Sequence, residues 1–133
     1  MWPRIAIETA SLRLSLEPGD GSDMVRANAR SVSVPVETGQ IVRLSARVHV
    51  PEALQGTERG ILIGLSRCHK GKWIAMWTAC ETNQTEATDG WKELAVYLPV
   101  DDRPCDEVQA IIGMCGVGTA YVDSVELVTL TKP

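Results

Sequence analysis

The side chains in this sequence best suited to chemistry are Trp73 and Trp77, and what they suit is recognition, not reaction. An indole offers a flat apolar face on which the C–H side of a sugar can rest, with nearby polar groups hydrogen-bonding the hydroxyls. On an extended segment, residues four apart point the same way and stand about 13 Å apart, so with Ala75 between them the two rings would make a shallow platform spanning more than one sugar. Ile74 and Met76 make the alternate side equally apolar, and packing of both indoles against a second sheet is the competing reading. Arg43, Arg47 and His49 recur at even spacing and so share one side of a strand. If that side lines a concave surface, the three can hydrogen-bond a sugar or an acidic group; otherwise they form a solvated outer face.

Catalysis has far less to rest on. Hydrolysis of a glycoside needs two positioned carboxylates, and the seventeen acidic residues contain no pair that spacing selects. The two histidines, His49 and His69, belong to no H-E-x-x-H or Cys/His arrangement of metal-ligand spacing. There is no G-x-S-x-G elbow, and the glycines between residues 113 and 118 follow a strand where a phosphate cradle would open a helix. The expectation is a protein that is not an enzyme on its own.

Cys68, Cys80, Cys105 and Cys115 allow three pairings, and none sits in a C-x-x-C arrangement. If residues 107–115 form one strand, Cys105 and Cys115 lie about 30 Å apart, too far for the roughly 4.4–6.8 Å Cα separation of a disulfide. Buried free thiols are expected. Thirteen basic against seventeen acidic residues give a net charge of -4 with no block of like charge, which argues against nucleic acid and a basic membrane patch. No apolar run is long enough for membrane insertion, and Met1-Trp2-Pro3-Arg4 lacks the features of a secretory signal. Location is thus expected to be extracellular or cell-surface as part of a longer chain, or cytoplasmic if Met1 is the native start. Asn83-Gln84-Thr85 is a glycosylation acceptor pattern with meaning only outside the cell.

The elements that must position these residues are strands. Ser11-Leu12-Arg13-Leu14-Ser15-Leu16 alternates apolar and polar, and Ser31-Val32-Ser33-Val34-Pro35-Val36 repeats the pattern with a proline that favours an edge. Residues 41–50 place Val42, Leu44, Ala46, Val48 and Val50 on one side and Arg43, Ser45, Arg47 and His49 on the other. Residues 61–65 and 110–114 are apolar on both sides and suit central positions covered on both faces. Lys70-Gly71-Lys72 suits a hairpin tip leading into a strand over residues 73–78, and polar residues 81–90 suit a surface loop. With strands at residues 91–98 and 120–130, about nine in all, the 133 residues read as a single all-β domain, an antiparallel β-sandwich excised from or part of a larger protein.

Gly39-Gln40 leading into Val42-Arg43-Leu44-Ser45-Ala46-Arg47-Val48, then Gly90-Trp91-Lys92-Glu93-Leu94, then Gly118-Thr119-Ala120-Tyr121-Val122-Asp123-Ser124-Val125-Glu126-Leu127, resembles the galactose-binding-like jelly rolls of carbohydrate-binding modules. The resemblance runs over roughly residues 11–130 and implies a jelly-roll fold and a non-catalytic module that binds a glycan. It also implies that Trp91 and Tyr121 pack as strand anchors. In related modules a structural calcium is held between an opening Glu and the Asp of the last strand; Asp123 is the matching position, with Glu8 and Asp89 as candidate helpers. The usual opening with Gly-Phe-Glu is missing, and the chain has no Phe at all. The alternative reading is a structural or protein-interaction sandwich of a larger surface or secreted protein, with a protein partner and no sugar site.

Overall fold

The computed structural model describes residues 4–8, 12–17, 27–30, 33–70, 72–73, 79–101 and 105–131, with 4–8, 27–30 and 72–73 described by backbone alone. Every regular element among them is a strand: β1 (Arg4–Glu8), β2 (Leu12–Leu16), β3 (Ala27–Arg30), β4 (Val34–Pro35), β5 (Gln40–His49), β6 (Ile61–His69), β7 (Lys72–Trp73), β8 (Cys80–Gln84), β9 (Lys92–Pro99), β10 (Glu107–Met114) and β11 (Gly118–Thr131). Among these residues no helix is long and apolar enough to cross a membrane.

The segments fill eight positions. β1 and β2 lie end to end along one edge of β11, β3 and β4 along β10, and β7 and β8 along β6. The first sheet runs β1/β2, β11, β5, β9 and the second β3/β4, β10, β6, β7/β8. All pairings are antiparallel. Counted in chain order, the positions read 1-8-3-6 and 2-7-4-5, so the fourth and fifth positions, β6 and β7/β8, are the one pair of consecutive positions within a sheet among the described residues. Every other step from one position to the next crosses between sheets, which is the winding of a jelly roll. The expected sandwich is what the chain forms, with eight positions where about nine strands were counted in the sequence.

Alternation sorts the side chains. Val42, Leu44, Ala46, Val48 and Val50 are each at most 1% exposed and meet Ile61, Ile63, Leu65, Val108, Ala110, Ile112 and Met114 of the second sheet. A fully buried aliphatic side chain of this kind contributes roughly 1.5–3 kcal/mol. β6 and β10 are covered on both faces as expected. Leu62 and Ile111, which the pleat turns away from that core, are also fully buried, and the register sets Gly113 opposite Leu62 and Gly64 opposite Ile111.

Two local expectations change. The polar stretch over residues 81–90 is a loop only in its second part, because Cys80–Gln84 pairs with β6 as an outermost strand. Its composition hid it: Cys80, Thr82 and Gln84 are half-buried while Glu81 and Asn83 are exposed, the polar mixture that an edge position tolerates. The hairpin at Lys70 is present, with His69 paired to Lys72 and Lys70 at φ 53°. Beyond it, β6 steps from Cys68 to Leu65 while its partner steps from Trp73 to Cys80, so the register shifts by four residues. Residues 74–78 lie outside those described.

The four cysteines are free thiols, Cys68 and Cys115 buried, Cys80 and Cys105 half-buried. β10 occupies the chain between Cys105 and Cys115 as a strand, as their predicted separation requires. Burial pushes the thiols of Cys68, Cys80 and Cys105 above their usual value of 9.0, with the Glu107 charge adding to the effect at Cys68. The unfolded chain therefore loses these protons first, so their contribution to stability is intact below pH 9.0 and is lost as pH rises past it. Urea-unfolding midpoints should fall on raising the pH through that value, and the fall should shrink in Cys80→Ala. A second expectation separates two glycines of positive φ. At Gly39 (φ 95°) a Cβ would meet open space, whereas at Gly60 (φ 68°) it would run into the Gln84 carbonyl oxygen. Both alanine variants carry the left-handed penalty of about 1–2 kcal/mol. Gly60→Ala should cost clearly more than Gly39→Ala in the same denaturant titration.

Candidate functional site

β5 is the middle of the candidate face. Its alternate residues Arg43, Ser45, Arg47 and His49 turn away from the core, and the ladders on either side decide what stands beside them. On one side Arg43 is opposite Tyr97 and Arg47 opposite Glu93; on the other Arg47 is opposite Asp123 and His49 opposite Tyr121. Each arginine is held by a neighbour. Arg43 donates from Nε to the Tyr97 hydroxyl at 3.2 Å and from Nη2 to Glu93 at 3.1 Å. Arg47 donates from Nε and Nη2 to the two oxygens of Asp123 at 3.0 and 2.9 Å, a bidentate pair.

Aromatic rings complete the face. His49 stands between Trp91 and Tyr121, with ring centroids 5.7 and 5.9 Å away, and the Arg47 guanidinium lies 5.3 Å from the Trp91 centroid. Trp91 is 40% and Tyr97 54% exposed. Between the arginines the small Ser45, only 5% exposed, lies opposite Ala95 and leaves a depression of about 210 Å³ bordered by Arg43, Arg47, Glu93, Ser124 and Glu126.

A bulge in β11 shapes one wall. Asp123 and Glu126 are three residues apart and would face opposite sides of a regular strand. Pairing with β5 skips from Asp123 to Glu126, and Ser124 takes φ 53°, so both acids reach the outer face while Val125 stays in the core. Bulges re-aim side chains in this way.

The residues singled out by sequence divide between the sheets. Arg43, Arg47 and His49 do share a face, on the first sheet. Trp73 stands opposite Cys68 in the second sheet, and Trp77 lies outside the described residues. The structure thus brings the polar row together with Trp91, Tyr97 and Tyr121 and sets it on a different sheet from Trp73. Trp91, expected to pack as a strand anchor, instead lies on the outer face, 40% exposed and flanked by His49 and Arg47; Tyr121 is half-buried against His49. Tyr97 and Glu93 were missed, although they alternate with the inward Leu94, Val96 and Leu98 and their outward phase could have been counted.

The fit of a calcium ion to Asp123 is poor. Calcium takes six to eight oxygens, whereas both oxygens of Asp123 already accept from Arg47. Among the described residues no three His, Cys, Asp or Glu side chains group as a metal site. Asp89 is exposed in the loop before β9, and Glu8 is described by backbone alone. A larger depression, about 430 Å³, is lined by Pro51, Glu52, Ala53, Gln55 and Val117 to Thr119, and it offers no aromatic ring.

No family model matches the chain, and no curated protein matches its sequence. Solved structures do share its fold. One described as "CBM4 structure and function" aligns over 90% of this chain and 70% of its own at 16% identity, with a TM-score of 0.62. "Family 16 Carbohydrate Binding Module-2" aligns over 95% and 89% at 14% identity and a TM-score of 0.55. The enzymatically active domain of bacteriophage CBA120 tailspike protein 4 aligns over 96% of this chain but 19% of its own, at 12% identity and a TM-score of 0.56. At these identities the likeness is one of fold. The chain has the jelly-roll fold found in carbohydrate-binding modules, as its resemblance to them implies.

Because Trp91 and Tyr97 lie on the outer face and not in the core, truncating either should leave the chain folded. Tyr97→Ala should change unfolding free energy by about 1 kcal/mol or less in urea titrations, and Trp91→Ala by clearly less than the roughly 3–5 kcal/mol of a tryptophan anchoring a core.

Proposed function

We propose that this chain is a non-catalytic carbohydrate-binding module whose glycan lies along the outer face of the first sheet. One observation carries the reading: the large apolar side chains exposed among the described residues, Trp91 and Tyr97, both stand on the face that holds Arg43, Arg47 and His49. Six residues apart along one strand direction, they are separated by about 20 Å, long enough to engage successive rings of an extended saccharide. Each would offer a flat surface to sugar C–H groups while the polar row hydrogen-bonds hydroxyls.

The charge pattern favours an uncharged glycan. Arg43 and Arg47 are matched by Glu93 and Asp123, and Glu126 adds a further acid. Each guanidinium has five N–H donors and spends only those of Nε and Nη2 on the partners named above, so donors remain for hydroxyls without net positive charge to draw a carboxylate. The chain's net charge of -4 points the same way.

Trp73 and Trp77 are the competing platform for the same activity, and one experiment separates the two. Binding of the wild type to a panel of neutral and acidic glycans is measured beside Trp91→Ala/Tyr97→Ala and Trp73→Ala/Trp77→Ala. The first double variant should lose at least tenfold in affinity, as for an interface anchor worth about 2 kcal/mol, and the second should retain binding. The reverse pattern would move the site to the second sheet. A wild type silent on every glycan would leave the protein-interaction reading in its place.

A further inference from the structure

We propose that Arg47 serves this fold as a built-in cation at Asp123, and that the pair acts as a positioning device which holds the Trp91 ring in place on the recognition face. The inference concerns geometry inside the chain, and only its consequence for binding rests on the glycan reading above.

Three contacts in series support it. Arg47 and Asp123 stand directly opposite in the β5 and β11 ladder, so neither side chain has to reach. Both carboxylate oxygens accept from the guanidinium, at 3.0 and 2.9 Å, and Asp123 keeps only 17% of its side chain exposed. A two-point bond of this kind fixes the plane of the guanidinium as well as its distance. That oriented plane lies 5.3 Å from the centre of the Trp91 indole, which His49 contacts at 5.7 Å. The indole therefore has a cation and an imidazole beside it, both carried by β5, and the cation is oriented from β11.

A free ion at Asp123 would have to displace the guanidinium from both oxygens, and it would find no further acidic cluster among the described residues. The positive charge at that carboxylate is already supplied by a side chain. Asp123 and Arg47 are thus positioning residues for Trp91, and no divalent ion at Asp123 should add to stability. The bulge at Ser124 ends the regular pairing immediately after Asp123, which leaves that carboxylate at the last regular pair before the ladder is interrupted.

The test uses the whole chain and two readouts that need no glycan. Thermal unfolding of the wild type should be the same in excess EDTA and in excess calcium chloride; a midpoint raised by several degrees with calcium would overturn the proposal. The ¹⁵N-indole resonance of Trp91, assigned by its disappearance in Trp91→Phe, should shift or broaden in both Asp123→Asn and Arg47→Lys. The double variant should go no further than either single one, because both break the same contact. Arg47→Lys keeps the charge and loses only the planar two-point bond, so it also covers the case in which Asp123→Asn fails to fold. An indole signal unmoved in the folded variants would sink the idea. With a glycan ligand in hand, each variant should weaken binding roughly two- to fivefold, the size of one exposed cation–π contact. Absence of glycan binding by the wild type would remove the functional reading alone, since the calcium and indole measurements still decide this one.

Discussion

The antiparallel ladder between β5 and β11 is the constraint on which both the core and the polar outer face of the first sheet depend. Its inward residues, Val42, Leu44, Ala46 and Val48 from one strand and Ala120, Val122, Val125 and Leu127 from the other, form the centre of the first sheet's half of the core, flanked by Leu14 of β2 and Leu94, Val96 and Leu98 of β9. Its outward residues supply Arg43, Arg47, His49, Tyr121, Asp123 and Glu126. A slip of one residue would bury the arginines and expose the valines, so hydrophobic burial fixes the position of every polar group on the outside. The precision of the face is inherited from the core beneath it.

That inheritance explains how a charged surface can also be an ordered one. The basic residues sit on the middle strand and their acidic partners on the strands to either side, so each pair forms across a ladder whose spacing is already set. Exposed ion pairs contribute little to stability in general, because two long side chains must be ordered to make them. Here the ordering matters more than the energy. Arg47, bound at two points, presents a fixed plane to Trp91, and Arg43 is tied to both Tyr97 and Glu93. The small Ser45 and Ala95 between them keep the centre of the face open.

The fold by itself says less about activity than this face does. The same winding serves carbohydrate-binding modules and a domain of a phage tailspike, at identities between 12% and 16% to this chain. What such structures share is a solution to packing two twisted sheets, and the outer surfaces are free to diverge because they bear none of that packing. The identity of outward residues is therefore where function has to be read.

Much of this molecule was legible before any coordinates. Period-two alternation in residues 41–50 separates core from surface correctly, and the doubly apolar runs at residues 61–65 and 110–114 belong to the central strands of the second sheet. These are local signals, because the pleat turns successive side chains to opposite sides wherever the backbone is extended. β8 escaped notice because an edge strand with one half-buried side is too polar to show alternation. The shared side of Asp123 and Glu126 was invisible because it depends on one inserted residue at positive φ. Above all, nothing local says which strands become neighbours. Trp91 stands beside Arg47, and Trp73 is in the other sheet, because ladders join segments tens of residues apart. Such a pairing is settled by how all the apolar faces can be buried at once, a property of the whole chain and of no single stretch of it.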